Sequence, residues 1–266
     1  GSRRGEEGER LRATLKQRRD DRPTKRASEK QDPRAKEVDL TDRRTMSYPS
    51  DADIAASMPH FDDAVKYING LPKESPVPGV ELTAAEERLG YYALYKVASV
   101  GKVSTKRPGM FDQQGQFKWD AWKALENLTS DQAKAMYVDV VAMSILIDGK
   151  ERPEVFHWLN GLLDQADCPA FLKTVLDGDK ASWPRLWKLA EEFADALGAA
   201  KDSGKDSELE GLRWQAIYGD VYVPKPGMLS SKLGGFKLSG ADWEKWNGLK
   251  GKAKDAAMQE YIDKAN

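Results

Sequence analysis

The chain has 266 residues, 32% charged and 40% hydrophobic, with a formal net charge of -1 at pH 7 and a mean hydropathy of -0.68. That length holds one large domain or two small ones, and no run of about 18 apolar residues offers a membrane span. A single cysteine, Cys168, rules out an internal disulfide, and the two histidines, His60 and His157, form no metal-ligand pattern. A soluble intracellular protein is expected, cytoplasmic by default, with a mitochondrion or plastid as alternatives.

The charge is unevenly placed. Residues 1–44 carry 15 Lys and Arg against 10 Asp and Glu, a surplus of 5 that leaves -6 on the remainder. The first aromatic is Tyr48, so residues 1–58 read as a charged arm, disordered or ordered by a partner. Within it, Glu6 to Arg19 offers one solvated helix, and its acids argue against a transit peptide. Nucleic-acid binding is not expected; a solvated tail is the simpler reading.

Helical signals begin at Phe61. Phe61, Ala64, Val65 and Ile68 have the spacing of one buried helix face, closed by Gly70-Leu71-Pro72. Thr83 followed by Glu86 predicts a capping box and a helix running to Val100, stopped by Gly101. After the Pro108-Gly109 turn a third helix is predicted from Gln116 to Glu126. A fourth is capped by Thr129 or Ser130, runs to Ile147 and stops at Gly149. No stretch alternates like a strand, so residues 59–149 predict an all-α four-helix bundle.

Residues 150–192 also read as helical, through Val155, Trp158, Leu159 and Leu162, with Leu186, Leu189 and Phe193 continuing the pattern. Trp183 and Trp187 give this connector enough apolar surface to pack against a neighbour. The polar run Lys201 to Ser207 predicts an exposed loop.

The end of the chain then echoes its middle. Pro108-Gly109-Met110 recurs as Pro226-Gly227-Met228, Trp119 and Trp122 as Trp243 and Trp246, and Tyr137 as Tyr261. Matching Tyr95 to Tyr218 pairs Lys96 with Gly219, Tyr92 with Gln215 and Lys118 with Asp242. It also shortens the stretch from the second tyrosine to the turn proline, from 13 residues to 8. Residues 193–266 therefore predict a second, shortened bundle that keeps the tryptophans, loses the cations and does not bind an anionic ligand.

On a helix, Tyr92 and Lys96 share a face, with Tyr95 beside them. An ammonium between phenols suits a phosphorylated aromatic ligand, and Lys118 at the start of the third helix adds a second cation. The tryptophans read mainly as core packing. Tyr-x-x-Tyr-Lys at 92–96, Lys-Arg-Pro-Gly-Met at 106–110, Lys118-Trp119 with Trp122, Phe61 and Tyr137 occur in the order of the acyl-CoA-binding protein family, which residues 61–148 resemble.

The resemblance implies a ligand, long-chain fatty acyl-CoA, and neither a cofactor nor a metal. Tyr92, Lys96 and Lys118 would gather the ribose 3′-phosphate, with Tyr95 and Tyr137 bordering the adenine or the pantetheine entrance. It also implies a reversible carrier or buffer and no enzyme, and no carboxylate pair has an acid–base setting. One departure is the run Gln114-Gly115-Gln116-Phe117, where the family often carries two further lysines and an alanine. The alternative reading is a structural or assembly subunit of a larger, organellar complex, engaged through the arm, the connector or the second copy.

Overall fold

The structure is a computed structural model and describes residues 50–226 and 237–266, all within one compact unit. The expected helix at Glu6 to Arg19, most of the arm, and Gly227 and Met228 of the second turn lie outside the described residues. Eleven α-helices and two short 3-10 turns make up the described fold, with no strand among the described residues. In order they are α1 (Asp51–Ser57), α2 (Phe61–Gly70), α3 (Ala85–Val100), α4 (Gln113–Ala124), α5 (Ser130–Glu151), α6 (Pro153–Leu163), α7 (Ala170–Leu176), α8 (Arg185–Asp202), α9 (Asp206–Tyr218), α10 (Gly240–Asn247) and α11 (Lys254–Ala265).

The first bundle is α2 to α5. Helix α3 starts one residue later than the Thr83 cap predicts: Ala84 is the cap position, and its amide donates to Glu87 Oε2 at 2.6 Å. Its end at Gly101 is as expected, since the glycine adopts φ 83°, a region closed to most side chains. Helix α4 starts three residues earlier than predicted because Asp112 caps it, accepting from the Gly115 amide at 2.8 Å. Helix α5 begins at the Thr129–Gln132 capping box and passes through Gly149, ending only before Pro153.

Helix α5 organises the molecule. Residues 135–143 are all buried, so it shows no single apolar face. The cause is its position: α1, α2, α3 and α8 all pack against it. Its one charge in that stretch, Asp139, accepts from Ser57 Oγ at 2.7 Å and from Trp187 Nε1 at 3.0 Å. A buried carboxylate placed between two donors from different helices fixes their register.

That network corrects the boundary of the arm. Residues 51–57, inside the stretch expected to lack structure, form α1, which is capped by Ser50. Ser57 is fully buried, and Asp53, 6% exposed, pairs with Arg185 at 3.3 Å. Few apolar residues are needed here because buried polar pairing to α5 and α8 holds the helix. In residues 150–192, Trp183 and Trp187 are buried and Phe171 lies edge-on to Trp187 at 5.8 Å.

The second bundle comprises α8 to α11, with α9 packed on α10 and α11, and α8 on α11. It repeats the first in detail. Trp122 Nε1 donates to the Gly101 carbonyl at 2.7 Å, and Trp246 Nε1 to the Gly219 carbonyl at 2.7 Å. Trp119 and Trp243 donate to Thr105 and Val223 carbonyls, both at 2.9 Å. Phe61 meets Tyr137 edge-on at 5.4 Å, and Phe193 meets Tyr261 edge-on at 5.0 Å.

Candidate functional site

Helices α3 and α4 are drawn together by buried Trp122 and by its indole bond to the end of α3. That contact places two lysines over aromatic faces. Lys96 Nζ lies 4.4 Å from the centroid of the Trp122 ring, and Lys118 Nζ lies 5.3 Å from that of Tyr92. Both distances are within cation–π range, about 6 Å, so the rings orient the ammonium groups without neutralising them. Among the described residues neither lysine joins an ion pair, whereas neighbouring Arg107 is held by Asp120 through bonds of 2.6 and 2.7 Å. Two uncompensated cations on adjoining helices make a place for an anion.

Tyr95 continues this face. It is 44% exposed and stacks on Phe61 at 6.3 Å. Tyr137 is different. Only 3% exposed, it is covered by Phe61 and by Tyr91 at 5.7 Å, and Phe61 is what links it to Tyr95. Burial, and then the neighbouring Tyr95 phenol, push the Tyr137 hydroxyl well above the ordinary phenol range, so it stays a hydrogen-bond donor.

Of the five expected residues, then, Tyr92, Lys96 and Lys118 converge, Tyr95 lies beside them, and Tyr137 backs them from the interior. Sequence reading assigned Trp122 mainly to packing and did not foresee that its ring lies under Lys96. It used Met110 only as a turn marker and did not name Phe111; the two stand 75% and 98% exposed on the loop before α4. The only sequence signal for these was an apolar pair directly after a Pro-Gly turn.

The profile of the family described as Acyl CoA binding protein matches residues 58–141 and again 170–265. The chain belongs to the acyl-CoA-binding protein family. It is 41% identical over 100 residues to acyl-CoA-binding protein homolog 3 of Caenorhabditis elegans, covering 37% of this chain and 81% of that protein. It is 32% identical over 184 residues to acyl-CoA-binding domain-containing protein 5-B of Danio rerio, covering 68% of this chain and 42% of that protein. With the acyl-CoA-binding protein of Ricinus communis it shares 48% identity over 61 residues, 23% of this chain and 68% of the other. No solved structure matches the chain.

With two family copies in hand, their register can be read from the tryptophan bonds. Gly219 takes the place of Gly101, not of Lys96: both glycines end the second helix, both have positive φ (73° and 83°), and both accept from the indole of the second tryptophan. From glycine to turn proline is seven residues in each copy, 101 to 108 and 219 to 226, so this stretch is not shortened. The shortening lies earlier, where α9 and α3 have 13 and 16 residues, while six residues are added between the turn and Trp243.

In this register Trp214 replaces Lys96, Arg213 replaces Tyr95 and Glu210 replaces Tyr92, with Asp242 opposite Lys118 as expected. Trp214 stacks on Trp246 at 5.2 Å, so an indole lies where an ammonium lies in the first copy. Its Nε1 donates to Glu210 Oε1 at 2.7 Å, and Arg213 is bound to Glu151 at 2.9 and 2.7 Å. Tyr218, matched to Tyr95 by spacing alone, instead occupies the position of Val100.

Proposed function

We propose that the first copy binds long-chain fatty acyl-CoA reversibly and serves as a carrier or buffer. The observation behind this reading is the pair of uncompensated ammonium groups, Lys96 and Lys118, held on the Trp122 and Tyr92 rings. Lys96, Lys118 and Tyr92 take the ribose 3′-phosphate, because cations outside ion pairs lose no partner when a phosphate arrives. Exposed Tyr95 offers its ring to the adenine. Tyr137 acts from beneath, orienting Phe61 and offering a protonated hydroxyl. The family is one of binding proteins, and acyl-CoA enters as ligand, not as cofactor. Family membership favours this reading over a structural subunit that has lost its ligand.

The test is calorimetric titration with palmitoyl-CoA. One-to-one saturable binding is expected, weakened about tenfold or more by Lys96→Ala and by Lys118→Ala, since a charge-assisted bond contributes about 1.5–3 kcal/mol. A flat titration at high micromolar ligand would remove the carrier reading. The second copy is expected to contribute no site, so the stoichiometry should be one and not two.

A further inference from the structure

Among the described residues, the exposed large hydrophobics are Tyr95, Val100, Met110 and Phe111. All four fall within residues 95–111, the end of α3 and the loop that leads to α4. The same stretch carries Lys96, Lys102, Lys106 and Arg107 and no Asp or Glu, in a chain whose net charge is -1. Arg107 is held by Asp120. Lys102 and Lys106 are exposed and, among the described residues, join no ion pair.

The tip of this loop is fastened to α4. Gln116 Nε2 donates to the Pro108 and Gly109 carbonyls at 3.2 and 2.9 Å, and the Asp112 amide donates to the Gly109 carbonyl at 3.0 Å. Asp112 in turn caps the helix, and Trp119 Nε1 holds the Thr105 carbonyl earlier in the loop at 2.9 Å. The turn is thus fixed while the Met110 and Phe111 side chains stand in water. A phenyl ring 98% exposed adds nothing to the core, and its apolar surface is relieved of water only by something outside the chain.

We propose that this loop docks the first copy on the surface of an anionic lipid bilayer. Met110 and Phe111 enter the boundary between headgroups and acyl chains, and Lys102 and Lys106 meet the anionic headgroups. Interfacial binding strengthens with the apolar area buried and with attraction to anionic lipid, and one loop supplies both. A soluble polyanion would use the lysines but offer Met110 no apolar place. The opening segment of the chain is matched poorly to this face, since residues 1–44 carry a surplus of 5 cations. Because the turn is already tied down, docking costs little further ordering.

Docking is read with lipid alone, so its outcome does not depend on acyl-CoA binding by the first copy. The full chain is sedimented with vesicles of phosphatidylcholine containing about 30% phosphatidylserine, and with vesicles of phosphatidylcholine only. Binding to the mixed vesicles is expected to exceed binding to the neutral ones about tenfold or more, and to fall as salt rises from about 0.1 to 0.5 M. The pair Met110→Ser with Phe111→Ser, and separately Lys102→Glu with Lys106→Glu, should each weaken it about tenfold or more. Their melting temperatures should stay near that of the wild type, because all four side chains are exposed. Should either pair fail to fold, Phe111→Ser or Lys106→Glu alone replaces it, with a loss of about threefold. No binding to the mixed vesicles, equal binding to the neutral ones, or retained binding in either folded variant overturns the proposal. The last result is what attachment through the basic residues 1–44 alone would give.

Discussion

The two copies share a skeleton and differ in what stands on it. In the first, a lysine sits over the second tryptophan; in the second, Trp214 stacks on the equivalent ring. The indole bond to the helix-ending glycine is the same length in both, and so is the bond from the first tryptophan. Even the ion pair beside the turn persists, as Arg107 with Asp120 and Lys225 with Glu244. What is kept is the packing that joins the second and third helices; what is exchanged is the chemistry of the exposed face. Tryptophans of this type therefore report fold, and the residues stacked on them report function.

The largest effect that would sharpen this division is at Trp246, which is fully buried where Trp122 keeps 4% exposure. Trp246→Ala should destabilise the chain by about 3–5 kcal/mol, read by urea denaturation, while acyl-CoA affinity of the folded fraction is unchanged. An equal loss of affinity would mean that the copies are coupled through α5.

Next is a matched pair at the start of the fourth helix. Ser130 Oγ donates to the Ala98 carbonyl at 2.6 Å, and Lys254 Nζ donates to the Ile217 carbonyl. A hydroxyl does in one copy what a buried ammonium does in the other. Burial pulls Lys254 down to about 8 from 10.5, with the Asp139 charge opposing. Between about pH 8 and 10.5 the unfolded chain holds a proton that the native chain has released. Raising the pH through that window therefore stabilises the fold, by up to about 3 kcal/mol. Denaturation midpoints should climb across it in the wild-type chain and stay flatter in Lys254→Met; parallel profiles would refute the assignment.

A direct exchange of the distinguishing residue comes third. Lys96→Trp gives the first copy the second copy's stack and should reduce palmitoyl-CoA affinity about 10- to 150-fold. Its melting temperature should stay near that of the wild type, because the Trp122 bond to Gly101 is not touched. Retained affinity would show that Lys96 is not a phosphate ligand.

Much of this was legible in the sequence, for particular reasons. The Pro-Gly turns, the tryptophan pairs and Tyr92 with Lys96 are local patterns, and local patterns survive without coordinates. The register of the second copy was not legible, because Tyr218 supplied a false match to Tyr95. The indole–glycine bonds, the shared positive φ of Gly101 and Gly219, and the equal spacing from each glycine to its turn proline separate the two registers. Helix α1 was hidden by its composition, since Ser57 and Asp53 are buried through partners 82 and 132 residues away.

The smallest effect tests the glycines themselves. Gly101 and Gly219 have nearly the same backbone, φ 83° with ψ -141° and φ 73° with ψ -146°, so the intrinsic cost of an alanine should be alike, about 1–3 kcal/mol. Their surroundings differ. A Cβ on Gly101 would meet nothing within 4 Å, whereas one on Gly219 would approach Met136 Cε at 3.0 Å and Lys254 Cγ at 3.6 Å. Met136 lies on α5, so the second copy's glycine is pressed against the first copy's last helix, and the first copy's glycine faces open space. Gly219→Ala should therefore cost about 1 kcal/mol more than Gly101→Ala, less than a rigid clash because the methionine end can move. The difference would be read from paired denaturation curves. Equal costs would mean that the contact with α5 adds nothing to what the backbone already requires.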